Sequence, residues 1–215
     1  MNEVTLNCAN CGTLACKGGN DREPPAFCPM LSEGEVLARA RATLMQDADI
    51  RQWTVNSART EAAGYGKDTR VAETMAFARR IGAMHLGIAC CVGTQREARL
   101  AQEIFVANGF RVSSVACKVG SIPKEDVGLT EAEKIRPGEF EALCNPIAQA
   151  QLLEKAGAEL NVLIGLCVGH DSLFFQHSAV PVTVLVAKDR VTGHNPAAAL
   201  YTSRSYYRKL RTPKE

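Results

Sequence analysis

Nine cysteines in 215 residues constrain this chain more than any other feature it has. Four of them, Cys8-x2-Cys11-x4-Cys16-x11-Cys28, crowd into a stretch with Gly18-Gly19, Pro24-Pro25 and few large apolar residues. Such a stretch cannot bury a core of its own, so something else must order it. The other five, Cys90, Cys91, Cys117, Cys144 and Cys167, are spread along the rest of the chain.

Nine cysteines can be disulfides, metal or cluster ligands, or core residues. The chain starts without a basic and apolar leader, and no apolar run reaches the ~20 residues of a membrane-spanning helix. The expectation is a cytoplasmic protein with reduced thiols, and an odd number of cysteines also fits a disulfide framework poorly. Lys+Arg is 25 against Asp+Glu 23, a net charge of +2, which gives no broad electrostatic case for nucleic acid or membrane as a partner.

Three regions are expected. Residues 1–32 form a cysteine-rich metal or cluster module. Residues 33–83 are helical and pack on the main domain. They comprise a helix with a Val36, Ala40, Leu44, Ala48 stripe, a second capped by Asp49 through about Ala63, and a third capped by Asp68 through Ile81. Residues 84–215 alternate strand and helix. Strands are expected at 84–90, 110–116, 160–166 and 180–187, with helices at 95–108, mainly over 139–156 with a break at Asn145-Pro146, and at 197–210. Short apolar strands separated by helices predict an α/β fold. It is a small three-layer sheet of about four strands, mostly parallel and covered on both faces.

The Cys8-x-x-Cys11 knuckle with Cys16 and Cys28 can close four thiolates on a metal, whose binding would supply the folding energy the segment lacks. One knuckle rather than two, and the ending Cys28-Pro29, favour a [4Fe–4S] cluster there, with zinc kept open. In the α/β region Cys91, Cys117 and Cys167 end strands and Cys144 precedes a helix start. Ligands of open parallel sheets bind at that carboxyl edge. The echo Cys91-Val92-Gly93, Cys117-Lys118-Val119-Gly120 and Cys167-Val168-Gly169 selects Cys91 over Cys90, which is left to face the core. Cys91, Cys117, Cys144 and Cys167 are therefore the candidate cofactor ligands, for a second cluster of the [4Fe–4S] type, against the alternative that all are core cysteines. Lys118, His170 and Asp171 are candidate catalytic groups, His170 as a proton donor oriented by Asp171; the bland reading makes Asp171 a helix cap. Lys188, Arg190 and His194 fall on the same edge and could bind an anion or merely shape a loop. Lys67 and Arg70 could as well, although a solvated turn is the simpler reading. His85, His177 and Trp53 read as structural, and the basic tail with Arg204, Arg208, Lys209 and Arg211 as a solvated face. No dinucleotide, P-loop or nucleophile-elbow motif occurs.

The runs Gly165-Leu166-Cys167-Val168-Gly169-His170-Asp171-Ser172-Leu173-Phe174, Lys188-Asp189-Arg190-Val191-Thr192-Gly193-His194-Asn195-Pro196 and Cys144-Asn145-Pro146-Ile147-Ala148-Gln149-Ala150 join the N-terminal cysteine set in one more respect. Together they make the chain similar to an uncharacterised prokaryotic family of cysteine-rich metal-binding proteins, common in anaerobes. The resemblance covers nearly the whole chain. It implies metal binding, and hence the ligand reading of both cysteine sets, and it identifies no substrate. The expected function is a metal-binding, iron–sulfur protein whose second site is reactive or redox-active, with an electron-transfer protein or a small anion as partner. An iron–sulfur oxidoreductase or sulfur-handling enzyme fits that reading. The alternatives are a zinc-stabilised binding module without catalysis and a sulfur or metal trafficking protein.

Overall fold

The computed structural model describes residues 6–18 and 22–212; residues 1–5, on which the leader expectation falls, and Gly19 lie outside them. The chain divides into two compact units, Met1–Arg59 and Thr60–Glu215.

In the first unit a 3-10 turn, Cys8–Asn10, is followed by α1 (Pro29–Ser32) and α2 (Gly34–Gln46). No residue of α2 is buried, so the Val36 and Leu44 stripe is not a core face. Asp47, not Asp49, caps the next helix, α3 (Ala48–Gly64): its Oδ1 accepts from Asp49 N and Ile50 N at 3.0 Å each.

The second unit is an α/β fold. Thr69 rather than Asp68 caps α4 (Arg70–Arg80), its hydroxyl accepting from Ala72 N. Four strands follow with their helices: β1 (His85–Cys90), α5 (Gln95–Ala107), β2 (Arg111–Ala116), α6 (Pro146–Lys155), β3 (Leu160–Ile164), α7 (His170–His177), β4 (Val182–Val186) and α8 (Pro196–Tyr201). All pairings are parallel, in the order β2-β1-β3-β4. β1 and β3 are buried at every position, because helices cover both faces. One core layer joins Leu86, Ile88 and Cys90 to Ala78, Ala98 and Phe105. The opposite layer joins Ala89, Cys91, Cys117 and Leu163 to Ala150, Leu153 and Phe174. The chain leaves β1 in opposite directions to reach β2 and, on return, β3. The crevice of the fold therefore opens between the carboxyl ends of β1 and β3.

Two expected helices differ. Residues 139–145 are extended: Leu143 N donates to Ile122 O and Lys124 N to Glu141 O, at 2.7 and 3.1 Å. The helix starts only at Pro146, where Asn145 Oδ1 takes Ala148 N and proline fits the first turn. The connection 117–145 is clasped by ion pairs instead of a core, Lys124 with Glu141 and the buried Lys134 with Glu125 and Glu131. At the C-terminus α8 ends at Tyr201 rather than near 210, because the Thr202 and Ser205 hydroxyls turn back onto the carbonyls of Ala198 and Thr202.

Candidate functional site

The site is built where three strands stop. At the ends of β1, β2 and β3 backbone amides still reach Cys90 O, Ile164 O and Cys91 O, and buried side chains add to these ties. Two fully buried polar residues do so. Thr94 Oγ1 lies within 3.1 Å of Cys91 O and 2.9 Å of Ile164 O, tying β1 to β3. Gln149 of α6 donates Nε2 to Cys90 O (3.1 Å) and Val115 O (2.7 Å), tying β1 to β2. Each lashed strand end then delivers a cysteine one to three residues later. Cys144 is carried to the same place because Asn145 N donates to Cys117 O at 2.7 Å. Gly165, at φ +65°, completes the crevice: a Cβ there would stand 2.5 Å from Thr94 Cγ2.

The structure brings Cys91, Cys117 and Cys144 together. Cys117 is central and 1% exposed, its Sγ 3.7 Å from that of Cys144 and in hydrogen-bond contact with Cys91. Backbone amides point at the sulfurs: Val92 N to Cys117 Sγ and Gly93 N to Cys91 Sγ, both 3.5 Å. Cys167, half-buried, packs against the same core layer and accepts from Arg190 Nη2 at 3.1 Å.

Three cations face the thiols, Arg190 acting on Cys91 and Cys144 as well as on Cys167. Lys188 reaches Cys91, lying over the Gly93 turn, and Lys118 reaches Cys144 while donating to Ala142 O. Arg190 serves Cys167. Charge follows from this layout. The hydrogen bond from Cys117, then Lys188, holds the Cys91 thiol down at about 4. Cys117, then Lys118 and His170, holds Cys144 at about 5. Cys117 itself, buried beside the Cys144 and Cys91 sulfurs, is pushed far up. Cys90 sits in the other core layer, its thiol raised by burial.

His170 opens α7 beside Cys144, and its Nδ1 is buried with no hydrogen-bond partner among the described residues. Asp171 does not orient it: its Oδ1 accepts from Ser172 N at 2.8 Å. Nor does Asp171 cap the helix, since Gly169 holds that position. His194, at φ +66°, shapes the loop after β4, where its Nδ1 accepts from Asp189 N. Arg70 staples the β4 edge, Nε to Val184 O at 2.6 Å. His85 is fixed structurally. Its Nδ1 accepts from Arg111 at 2.8 Å, so Nε2 carries the hydrogen toward Ser113 and cannot act as a base on that hydroxyl.

In the N-terminal unit Cys8, Cys11, Cys16 and Cys28 line one pocket of about 80 Å³, walled by Leu14, Ala15, Pro25, Phe27, Pro29 and Met30. Leu14 adopts φ +47°, which brings its N–H to Cys11 Sγ at 3.4 Å. With the Thr13 hydroxyl this lowers the Cys11 thiol. Among the described residues no three His, Cys, Asp or Glu side chains are arranged to hold a metal ion, and no helix is long and apolar enough to cross a membrane.

Sequence reasoning missed Thr94 and Gln149. Nothing in a lone Thr or Gln announces that strand ends will need its hydrogen bonds.

Comparison with known proteins agrees with the extent of this architecture. A curated relative, "Uncharacterized protein MJ0455" of Methanocaldococcus jannaschii, is 36% identical over 205 residues, covering 95% of this chain and 98% of its own. No solved structure matches. The family model described as "Protein of unknown function (DUF1847)" matches residues 28–185, a span that holds Cys28 and the four strand-end cysteines. The chain belongs to the DUF1847 family.

Proposed function

We propose that this is an iron–sulfur protein with two cysteine centres, of which the strand-end one is reactive. The observation that carries the reading is the pairing of Cys91, Cys144 and Cys167 with Lys188, Lys118 and Arg190 around the central Cys117. Four thiolates with a [4Fe–4S] core carry a net charge of about −2, which in a buried site needs nearby cations and amide donors. Three cations and the Val92 and Gly93 amides are in place, and among the described residues no carboxylate hydrogen-bonds to any of the four sulfurs. A thiol pair serving only as core would not need charged partners.

The donor chemistry at the N-terminus fits a cluster better than zinc. Four thiolates on one zinc, each ~2.3 Å from the metal, form a closed tetrahedron. The ≈ 80 Å³ pocket between these four cysteines has room for several water-sized groups. A cluster bound at either site supplies one-electron redox chemistry. The protein's own part is to exclude water, fix the thiols and offset charge. His170, buried at Nδ1 beside Cys144, is the group placed to hold or pass a proton. The cytoplasmic, reducing setting expected from the sequence belongs to the same reading.

The test is spectroscopic. Anaerobically prepared full-length chain, reduced with dithionite, should give the EPR signal of a reduced cluster. Lys188→Met and Lys118→Met should each lower the reduction potential of that signal, because each removes a positive charge that favours the reduced form. A signal that is absent after reconstitution with iron and sulfide refutes the proposal.

A further inference from the structure

The two edges of the sheet are built differently. At β4 the outward carbonyl of Val184 accepts Arg70 Nε at 2.6 Å, Arg70 also reaches Thr183 Oγ1 at 3.2 Å, and the pairing with β3 is irregular between Leu163 and Ile164. A covering side chain and a break in register both close an edge to further strands. β2, the other edge, has neither. Its register with β1 runs unbroken from Arg111 to Ala116, and it contains no lysine or proline. Arg111 N and Cys117 N donate to Met84 O and Cys90 O, so by alternation the odd positions face β1, while Val112, Ser114 and Ala116 turn their N–H and C=O groups outward. Ala116 O takes Val119 N at 3.2 Å; the other outward groups have no backbone partner among the described residues. Ser114, in the middle of the strand, is exposed.

Beside this edge α5 and β2 enclose a cavity of about 280 Å³. The flank of α5 that lines it, Gln95, Arg99 and Gln102, is polar, where a helix lying over a strand is ordinarily apolar. Ser114 Oγ donates to Gln102 Oε1 at 2.9 Å, which fixes that amide and leaves its NH2 to donate. Arg99 forms no ion pair among the described residues, and no carboxylate lines the cavity.

We propose that β2 is a docking edge for an extended acidic segment of a partner protein, which adds to the sheet as a fifth strand with its carboxylates on the α5 side, against Arg99. The outward N–H and C=O groups of Val112, Ser114 and Ala116 supply main-chain bonds, and alternate side chains of the added strand supply selection. The acidic character follows from Arg99, whose planar fork matches a carboxylate and has none in the chain to hold. A second copy of this chain is the poorer occupant, because β2 itself has no carboxylate to offer Arg99. On the opposite face of the added strand apolar side chains would lie beside Val115, which packs on the core layer there.

The experiment uses the full-length chain and a fluorescein-labelled hexapeptide of alternating glutamate and valine, read by fluorescence anisotropy. The peptide should bind at least roughly tenfold more tightly than its lysine–valine counterpart. Arg99→Gln should weaken it about tenfold, whereas Arg96→Gln, which removes the same charge from a part of α5 outside the cavity, should change it less than about twofold. Ser114→Pro removes an outward N–H that β2 does not use toward β1, a change edge strands tolerate, and should abolish binding. If Ser114→Pro does not fold cooperatively, Arg99→Gln, which leaves the backbone untouched, decides the case. Equal binding of the two peptides, or an affinity unchanged in Arg99→Gln, overturns the proposal. So does a dimer that Ser114→Pro converts to monomer, since the edge is then occupied by a second copy.

Discussion

The Sγ atoms of Cys117 and Cys144 stand 3.7 Å apart, although 27 residues separate them in sequence. The main-chain bond from Asn145 N to Cys117 O and the cap that Asn145 provides for α6 help to bring them there. In chain stripped of metal by a chelator, oxidised glutathione should therefore link Cys117 to Cys144 before any other pair. Two thiols lose two protons and two electrons to the glutathione disulfide, which is reduced to two thiols. Peptide mapping reads the pair, and a first disulfide between Cys8 and Cys11 or involving Cys167 would show that the trio is arranged differently.

Gly165 makes a contrast with Gly193. Both hold φ near +65°, but a Cβ at Gly165 would meet Thr94 at 2.5 Å, while one at Gly193 meets nothing within 4 Å. Gly193→Ala should cost about 1–2 kcal/mol, the strain of a left-handed L-residue. Gly165→Ala should cost about 1–3 kcal/mol more from overpacking against a buried threonine that cannot move without losing the hydroxyl bond it shares between Cys91 O and Ile164 O. Urea unfolding of the two variants measures the difference.

Gln149→Leu should destabilise the chain by about 2 kcal/mol, because Val115 O and Cys90 O lose a buried donor. It should also speed the reaction of Cys117 with a thiol reagent, since the bond from Cys117 N to Cys90 O then ties β2 to β1 there without the Gln149 bridge. A stability loss with unchanged thiol kinetics would mean that Gln149 only fills space.

The lowered thiols set a pH dependence. The Cys91 and Cys144 thiols are held below their ordinary value of 9.0, at about 4 and about 5 in the folded chain. Their folded values are depressed, so the stability they contribute is fully present above pH 9 and is lost as pH falls toward 5 and then 4. With metal removed, the urea midpoint of the native sequence should drop across that window more than that of Cys91→Ser. Thiolate absorbance at 240 nm should survive well below pH 7. Equal pH profiles would contradict the Lys188 and Cys117 partnership argued for Cys91.

Much of this was legible in the sequence, for definite reasons. The strands are short apolar runs bounded by glycine, so β1 and β3 lie within two residues of their expected limits, and the parallel α/β class follows from the helices between them. Asn145-Pro146 marks a helix start because cap and proline chemistry are local. The ends of helices were less legible: Thr69 and Asp47 cap where neighbouring aspartates looked equally able, and Thr202 stops α8 by a choice between backbone and side-chain bonds. The strand order, and with it the crevice between β1 and β3, is set by packing at long range and has no signature in one sequence. The positions of Lys118, Lys188 and Arg190 on the site edge could be read from strand ends, but their matching with Cys144, Cys91 and Cys167 could not. It depends on the extended path of residues 139–145, where a helix was expected.

Metal analysis of anaerobically purified full-length chain tests the central claim most directly. Iron and acid-labile sulfide should appear in equal amounts, roughly eight of each per chain for two [4Fe–4S] centres, with broad visible absorption and little zinc. A colourless chain with one zinc, no sulfide and no iron uptake on reconstitution would contradict it.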